Sequence, residues 1–198
     1  MSHNQEADPQ RRKLLKAGLF LAVPGALWPL AGNALAPTPE IPDADDPTPA
    51  IIEGPYYKPK APERASLVEK GAKGTVITLA GRVLDTDGNP LPEALVDFWQ
   101  ADADGVYDNA GFKYRGWHRA NKKGEYKLET IMPGPYPGRT PHIHVKVAPP
   151  KGRVLTTQLY FPGVAANQRD HLYKAACLVK KVKDKENQLT FDFVLKVD

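Results

Sequence analysis

The chain has 198 residues, a formal net charge of +4, 20 prolines, 16 glycines and a single cysteine. That length allows one domain with a sizeable core. The small charge excess, with no basic stripe interleaved with aromatics, excludes a nucleic-acid-binding reading, and the lone Cys177 excludes an internal disulfide and reads as a small buried side chain rather than a catalytic thiol.

Residues 1–36 read as an export signal of the twin-arginine type. Arg11-Arg12 opens a basic stretch that continues through Lys13 and Lys16, and an apolar run follows from Ala17 to Ala31, broken by Gly18, Pro24, Gly25 and Pro29. Ala34-Leu35-Ala36 then supplies the small residues that a signal peptidase needs. The competing reading is a retained membrane anchor. The run is shorter than the ~20 apolar residues of a span, which favours a cleaved signal, no stable membrane span after cleavage, and a periplasmic or extracellular location.

Residues 37–74 read as an irregular N-terminal arm. The stretch 37–50 is rich in Pro and Asp, lacks a hydrophobic period and is expected to be unpacked. Glu53-Gly54-Pro55-Tyr56-Tyr57 interrupts it, either as an anchor that staples the arm to the domain or as a pocket wall containing Tyr56. Residues 58–74 are loop-like, with at most one helical turn near Ala65 to Lys70.

Residues 75–198 carry strand patterns separated by turn signals. Strands are expected at Thr75–Leu84, Ala94–Gln100, Glu125–Ile131, His142–Val147 and Val154–Phe161, with an alternating last strand through Leu189, Phe191, Phe193, Leu195 and Val197. Ala101 to Tyr114 reads as a loop, 163–176 as a short helix or loop, and Lys180, Lys181, Lys183 and Lys185 as a solvated face or hairpin. No helix-period segment exceeds about three turns. The expectation is all-β: a β-sandwich of mixed topology with long loops.

Pro133-Gly134-Pro135-Tyr136-Pro137-Gly138-Arg139-Thr140-Pro141-His142-Ile143-His144 concentrates the chemistry. The Pro and Gly residues force a shaped loop ahead of a strand, and a strand's period of two puts His142 and His144 on one face. Two imidazoles alone would suit zinc, copper, nickel or ferrous iron. A phenol has a free pKa near ~10, so only a strong Lewis acid binds it deprotonated at neutral pH. Two phenolates and a hydroxide would cancel the charge of Fe(III), which matters in a buried site. Tyr136, His142 and His144 are therefore part of a candidate iron shell, and Tyr107 is one of 8 tyrosines that could supply the second phenol. A zinc hydrolase is the weaker reading, because phenols are poor zinc ligands and no carboxylate base accompanies them.

The run from Thr75 to Phe161 resembles the intradiol ring-cleavage dioxygenases. The resemblance rests on Gly81-Arg82-Val83 through Leu91, on Ala94 to Tyr107 (ALVDFWQADADGVY), on Gly124 through Pro137, on Arg139 to His144 and on Thr156 to Phe161. It implies non-haem Fe(III) held by Tyr107, Tyr136, His142 and His144, with Tyr136 the ligand displaced by substrate. It also implies Arg139 as an electrostatic active-site residue and Gln158 as a neighbour of the substrate and oxygen pocket. The implied reaction opens a small aromatic diol with O2 to a cis,cis-muconate-type diacid, and self-association is left open. Two departures stand out: the loop from Tyr136 to His142 is shorter than in the protocatechuate-cleaving members, and Gly138 stands where those enzymes carry a large aromatic. The helical N-terminal dimerisation domain of catechol dioxygenases is also missing from this sequence. A more open pocket, with Tyr56 and Gly138 at its wall, is expected. The alternative from a different class is an exported sandwich that keeps the fold as a binding module without catalysis.

Overall fold

The structure, a computed structural model, describes residues 48–197. The expected export signal and the first part of the arm lie outside the described residues. In chain order the strands are β1 (Val76–Asp85), β2 (Leu95–Trp99), β3 (Arg115–Arg119), β4 (Glu125–Ile131), β5 (His142–Ala148), β6 (Leu155–Tyr160), β7 (Lys180–Lys181), β8 (Gln188–Thr190) and β9 (Phe193–Leu195). The described residues contain no α-helix, and two 3-10 turns, Ala165–Arg169 and Ala175–Cys177, occupy the stretch read as a short helix or loop.

The strands form two sheets. One has the order β4-β1-β8-β7, with β9 also pairing β1, and the other the order β3-β2-β5-β6. The four-stranded sheet is antiparallel throughout, whereas β1 pairs antiparallel with β4 and parallel with β8 and β9, so the expected mixed topology is present.

Alternation builds the core. In β4, Tyr126 and Leu128 are buried while Lys127 and Glu129 are exposed. Ile77, Leu79 and Val83 of β1 join them, and Val96, Phe98, Ile143, Val145, Val147, Leu155 and Leu159 meet them from the other sheet. Removing that apolar surface from water is the main source of stability, about 1.5–3 kcal/mol for each large side chain. β5 departs from alternation because both of its faces are buried. Its second face carries His142, His144 and Lys146, and something must cover it.

The arm is that cover. The Ile51 amide donates to the Thr156 carbonyl at 2.9 Å on β6, Glu53 pairs with Lys146 of β5 at 2.8 Å, and Tyr57 donates to Asp97 of β2 at 3.2 Å. The Arg64 amide then reaches the Trp117 carbonyl of β3 at 2.8 Å. The arm thus contacts β6, β5, β2 and β3 in sheet order, crossing the outer face as a strap. It continues to β4, where the Leu67 amide donates to the Glu129 carbonyl at 2.8 Å. The strap is irregular as expected, with no helical turn at Ala65 to Lys70. It is packed earlier than expected: Thr48 and Ile51 are buried, and the Thr48 hydroxyl accepts the Val194 amide at 2.9 Å.

Two further differences have local causes. β3, Arg-Gly-Trp-His-Arg, has no β-branched run to announce it, and its edge is paired by the strap through the Glu63–Trp117 bridge. The last strand is interrupted at Phe191-Asp192, where the Asp192 carboxylate takes the Arg82 amide at 2.8 Å in place of a backbone partner. β7 and β8 form the hairpin expected for the lysine-rich segment.

Candidate metal centre

The site lies on the outer face of the four-stranded sheet. Register aligns Trp99, His144 and Gln158 across β2, β5 and β6, with His142 opposite Tyr160 one row along. Two loops bring the phenols. In the first, the Asp102 carboxylate accepts the Asp104 and Val106 amides at 3.0 and 2.9 Å, which turns the chain ahead of Tyr107. The second carries Tyr136. The loops meet backbone to backbone: the Gly134 amide donates to the Asp102 carbonyl at 2.8 Å, and a Cβ on Gly134 would lie 2.3 Å from the Ala103 oxygen. Only glycine permits that approach.

The Tyr107 hydroxyl oxygen lies 3.0 Å from His144 Nε2 and 3.5 Å from His142 Nε2, and the two nitrogens are 3.1 Å apart. His142 Nδ1 is 2.7 Å from the Thr140 carbonyl. A carbonyl only accepts, so Nδ1 carries the proton and Nε2 presents a lone pair. His144 is oriented differently. Its Nδ1 is buried without a partner, and its ring stacks on Trp99 at 4.8 Å and 9°. Tyr57 packs edge-on against Trp99 at 4.8 Å from the far side. With Nδ1 protonated, His142 turns the Nε2 lone pair toward the Tyr107 oxygen and His144 Nε2, so three atoms of metal-ligand type converge in one place.

Tyr136 stands beside this triangle, its ring 5.8 Å from that of Tyr107 and 5.6 Å from that of His142. Its phenol accepts from Arg139 Nη1 at 3.2 Å. Among the described residues no three His, Cys, Asp or Glu side chains converge on a metal position, so a metal here would have to be held partly by phenols. The donor set fits a hard, strongly acidic ion such as Fe(III).

Burial dominates the electrostatics. It pushes the Tyr107 phenol far above its ordinary value, with Tyr136 adding to the rise and Arg139 and Arg115 opposing it. Tyr136 is also raised by burial, against the charge and hydrogen bond of Arg139. Burial and then the Arg139 charge push His142 down to about 4, and burial with the His142 charge puts His144 well below its ordinary value. At neutral pH both imidazoles are neutral lone-pair donors, and only a bound cation would bring the phenols down.

Arg139 is held on three sides. Nε donates to both Asp170 oxygens at 3.1 and 3.0 Å, Nη1 to Tyr136, and Nη2 to Gln158 Oε1. Asp170 also accepts the Thr140 and Leu172 amides at 3.0 and 2.9 Å. Gln158 Nε2 donates to the Ile52 carbonyl at 2.9 Å. Tyr56 stacks on Tyr107 at 4.3 Å and stands edge-on to Tyr136 at 6.0 Å. The segment Glu53 to Tyr57 therefore anchors the arm and also sets Tyr56 against both phenols. Gly138, at φ +79°, is exposed with open space where a Cβ would project.

Tyr56, Tyr107, Tyr136, Arg139, His142, His144 and Gln158 lie together, whereas no contact ties the exposed Gly138 to them, and three partners were not anticipated. Asp170, 31 positions from Arg139, gives only an Asx-turn signal in the sequence. Trp99 lay in the motif, but its stacking depends on the β2–β5 register. Asp97 shares the outer face with Lys146, and burial lifts its carboxyl to about 7 against the Tyr57 hydrogen bond and the Lys146 charge.

A family model described as "Dioxygenase" matches residues 52–197. The chain is 31% identical over 140 residues to hydroxyquinol 1,2-dioxygenase of Corynebacterium glutamicum, covering 59% of this chain and 46% of that protein. The chain thus spans about half the length of the curated relatives it matches. Among solved structures, the dioxygenase domain of a dioxygenase–carbohydrate-binding fusion from Streptomyces sp. SirexAA-E is 48% identical, with a TM-score of 0.73, covering 77% of this chain and 100% of that one. The 3-chlorocatechol 1,2-dioxygenase of Rhodococcus opacus 1CP is 29% identical with a TM-score of 0.71, covering 76% and 72%.

Proposed function

The chain belongs to the intradiol ring-cleaving dioxygenase family, and on that footing we propose that it opens catechol-type rings with O2 to a cis,cis-muconate-type diacid at a non-haem Fe(III) centre. The observation that carries this is the convergence of the Tyr107 oxygen and both histidine Nε2 atoms within 3.5 Å, with Tyr136 and Arg139 alongside. Tyr107, Tyr136, His142 and His144 would hold the iron. Ferric iron held there would supply Lewis acidity that favours deprotonated diol oxygens and a ring reactive toward O2.

The chain's own residues do the rest. Tyr136 is the less buried phenol and its oxygen already accepts from Arg139, so it would be the phenol suited to taking a diol proton while staying held in place. Arg139, fixed by Asp170 and Gln158, keeps a positive charge beside the ring as negative charge develops on it. Gln158, tied to the Ile52 carbonyl, holds its amide oxygen toward Arg139 and the Tyr160 hydroxyl. Trp99, Tyr56 and Tyr57 pack around the donors and exclude water.

Oxygen uptake on catechol, hydroxyquinol, protocatechuate and larger substituted catechols, with product identification, tests the reaction. Ring opening between the hydroxyls is expected, and no uptake by an iron-loaded sample on any diol would overturn it. Arg11-Arg12, the apolar run after it and Ala34-Leu35-Ala36 support export of the protein from the cytoplasm as part of this proposal. Changing Arg11→Lys and Arg12→Lys together should retain it in the cytoplasmic fraction, and undiminished export would contradict the twin-arginine route.

A further inference from the structure

Arg115, at the start of β3, is 1% exposed, yet it has no carboxylate partner. Nη1 donates to the Tyr56 carbonyl at 2.6 Å, while Nε and Nη2 reach the Asp108 carbonyl at 3.3 and 3.2 Å. Every hydrogen-bond partner is a neutral backbone oxygen, and none of the ion pairs among the described residues includes Arg115. The Asp108 carboxylate is spent elsewhere, on the amides of Ala110, Gly111 and Lys113. Asp97, the other carboxylate in its field, is engaged by Tyr57. A buried guanidinium without a counter-charge is costly. Its charge centre lies 5.8 Å from the centre of the Tyr107 ring, within cation–π range.

We propose that Tyr107 is the missing counter-ion: Arg115 is a positioning residue that stabilises Tyr107 as the phenolate a ferric ion requires, acting on the ring from the strap side without touching substrate. This rests on the reading of Tyr107 as an iron ligand. The two carbonyls that Arg115 grips flank Tyr107. Tyr56 stacks on the Tyr107 ring, and Asp108 follows it in the chain. One side chain thus fixes the position of the phenol and sets a positive charge beside its ring.

A purely structural clamp and a counter-charge differ in the visible spectrum. A cation near the phenolate lowers the energy of its electrons, so transferring one to Fe(III) takes more energy. In iron-loaded Arg115→Met the tyrosinate-to-iron band should move to longer wavelength and iron affinity should fall about 10–100-fold. A folded Arg115→Met protein with unchanged band and affinity overturns the proposal. Should that variant fail to fold, Arg115→Lys decides. Retention of the band position and affinity supports the counter-charge, and a folded lysine variant with a moved or lost band overturns it. A colourless iron-loaded unmodified protein would sink the ferric reading itself, and this proposal with it. A coloured parent with an unresponsive methionine variant sinks only the role of Arg115.

Discussion

At the scale of single residues, the site separates donors from the groups that aim them. His142 is aimed by a hydrogen bond to the Thr140 carbonyl, His144 by the face of Trp99, and Arg139 by Asp170, whose side chain is 1% exposed. Trp99→Leu should therefore loosen His144 and weaken iron binding about 10–100-fold, read by metal titration of a folded protein. Asp170→Asn removes the charge that holds Arg139, and a fall in kcat larger than any change in KM is expected from steady-state kinetics, because Arg139 acts on charge that develops during reaction. Tyr136→Phe should alter the visible band and slow turnover, and an unchanged spectrum would count against Tyr136 as a ligand. The donor residues were legible because they cluster in Tyr136 to His144 and in the motif ending at Tyr107. Trp99 and Asp170 were not legible as partners, since their roles depend on strand register and on a contact between distant loops.

At the scale of elements, the strap decides whether the outer face of the four-stranded sheet is solvent or site. Composition identified it as an irregular arm but could not show that it crosses β6, β5, β2 and β3, because each anchor is a long-range backbone or side-chain bond. β3 escaped detection for a related reason: the strap pairs its edge, and its sequence lacks the usual strand residues. β3 also carries His118, stacked on Phe98 at 5.8 Å with both ring nitrogens buried. Burial pushes its pKa below the ordinary 6.5, against a weaker pull from the Arg64 carbonyl. The folded state then binds fewer protons than the unfolded chain, so His118 reduces stability as pH falls through about 6.5 and below, and imposes no such loss above it. The melting temperature of His118→Phe should decline less steeply than that of the parent between about pH 7 and 5. Equal slopes would show that His118 does not titrate on unfolding.

At the scale of the whole molecule, the sandwich is a rigid backing for a site built on one outer face. Phe98 lies on the inner face of β2 beside outward-facing Trp99, so the core fixes the strand that aims the site. Phe98→Ala should cost about 3–5 kcal/mol of stability in denaturant unfolding. The sandwich class was legible from alternating strands and turn signals. The parallel pairing of β8 and β9 with β1 was not, because nothing local specifies which edge the last strand joins. The central claim is that two phenols and two imidazoles together hold ferric iron. The visible absorption spectrum of the iron-reconstituted protein tests it most directly. A broad tyrosinate-to-iron charge-transfer band is expected, diminished in Tyr107→Phe, whereas a colourless protein with full iron occupancy would contradict the account.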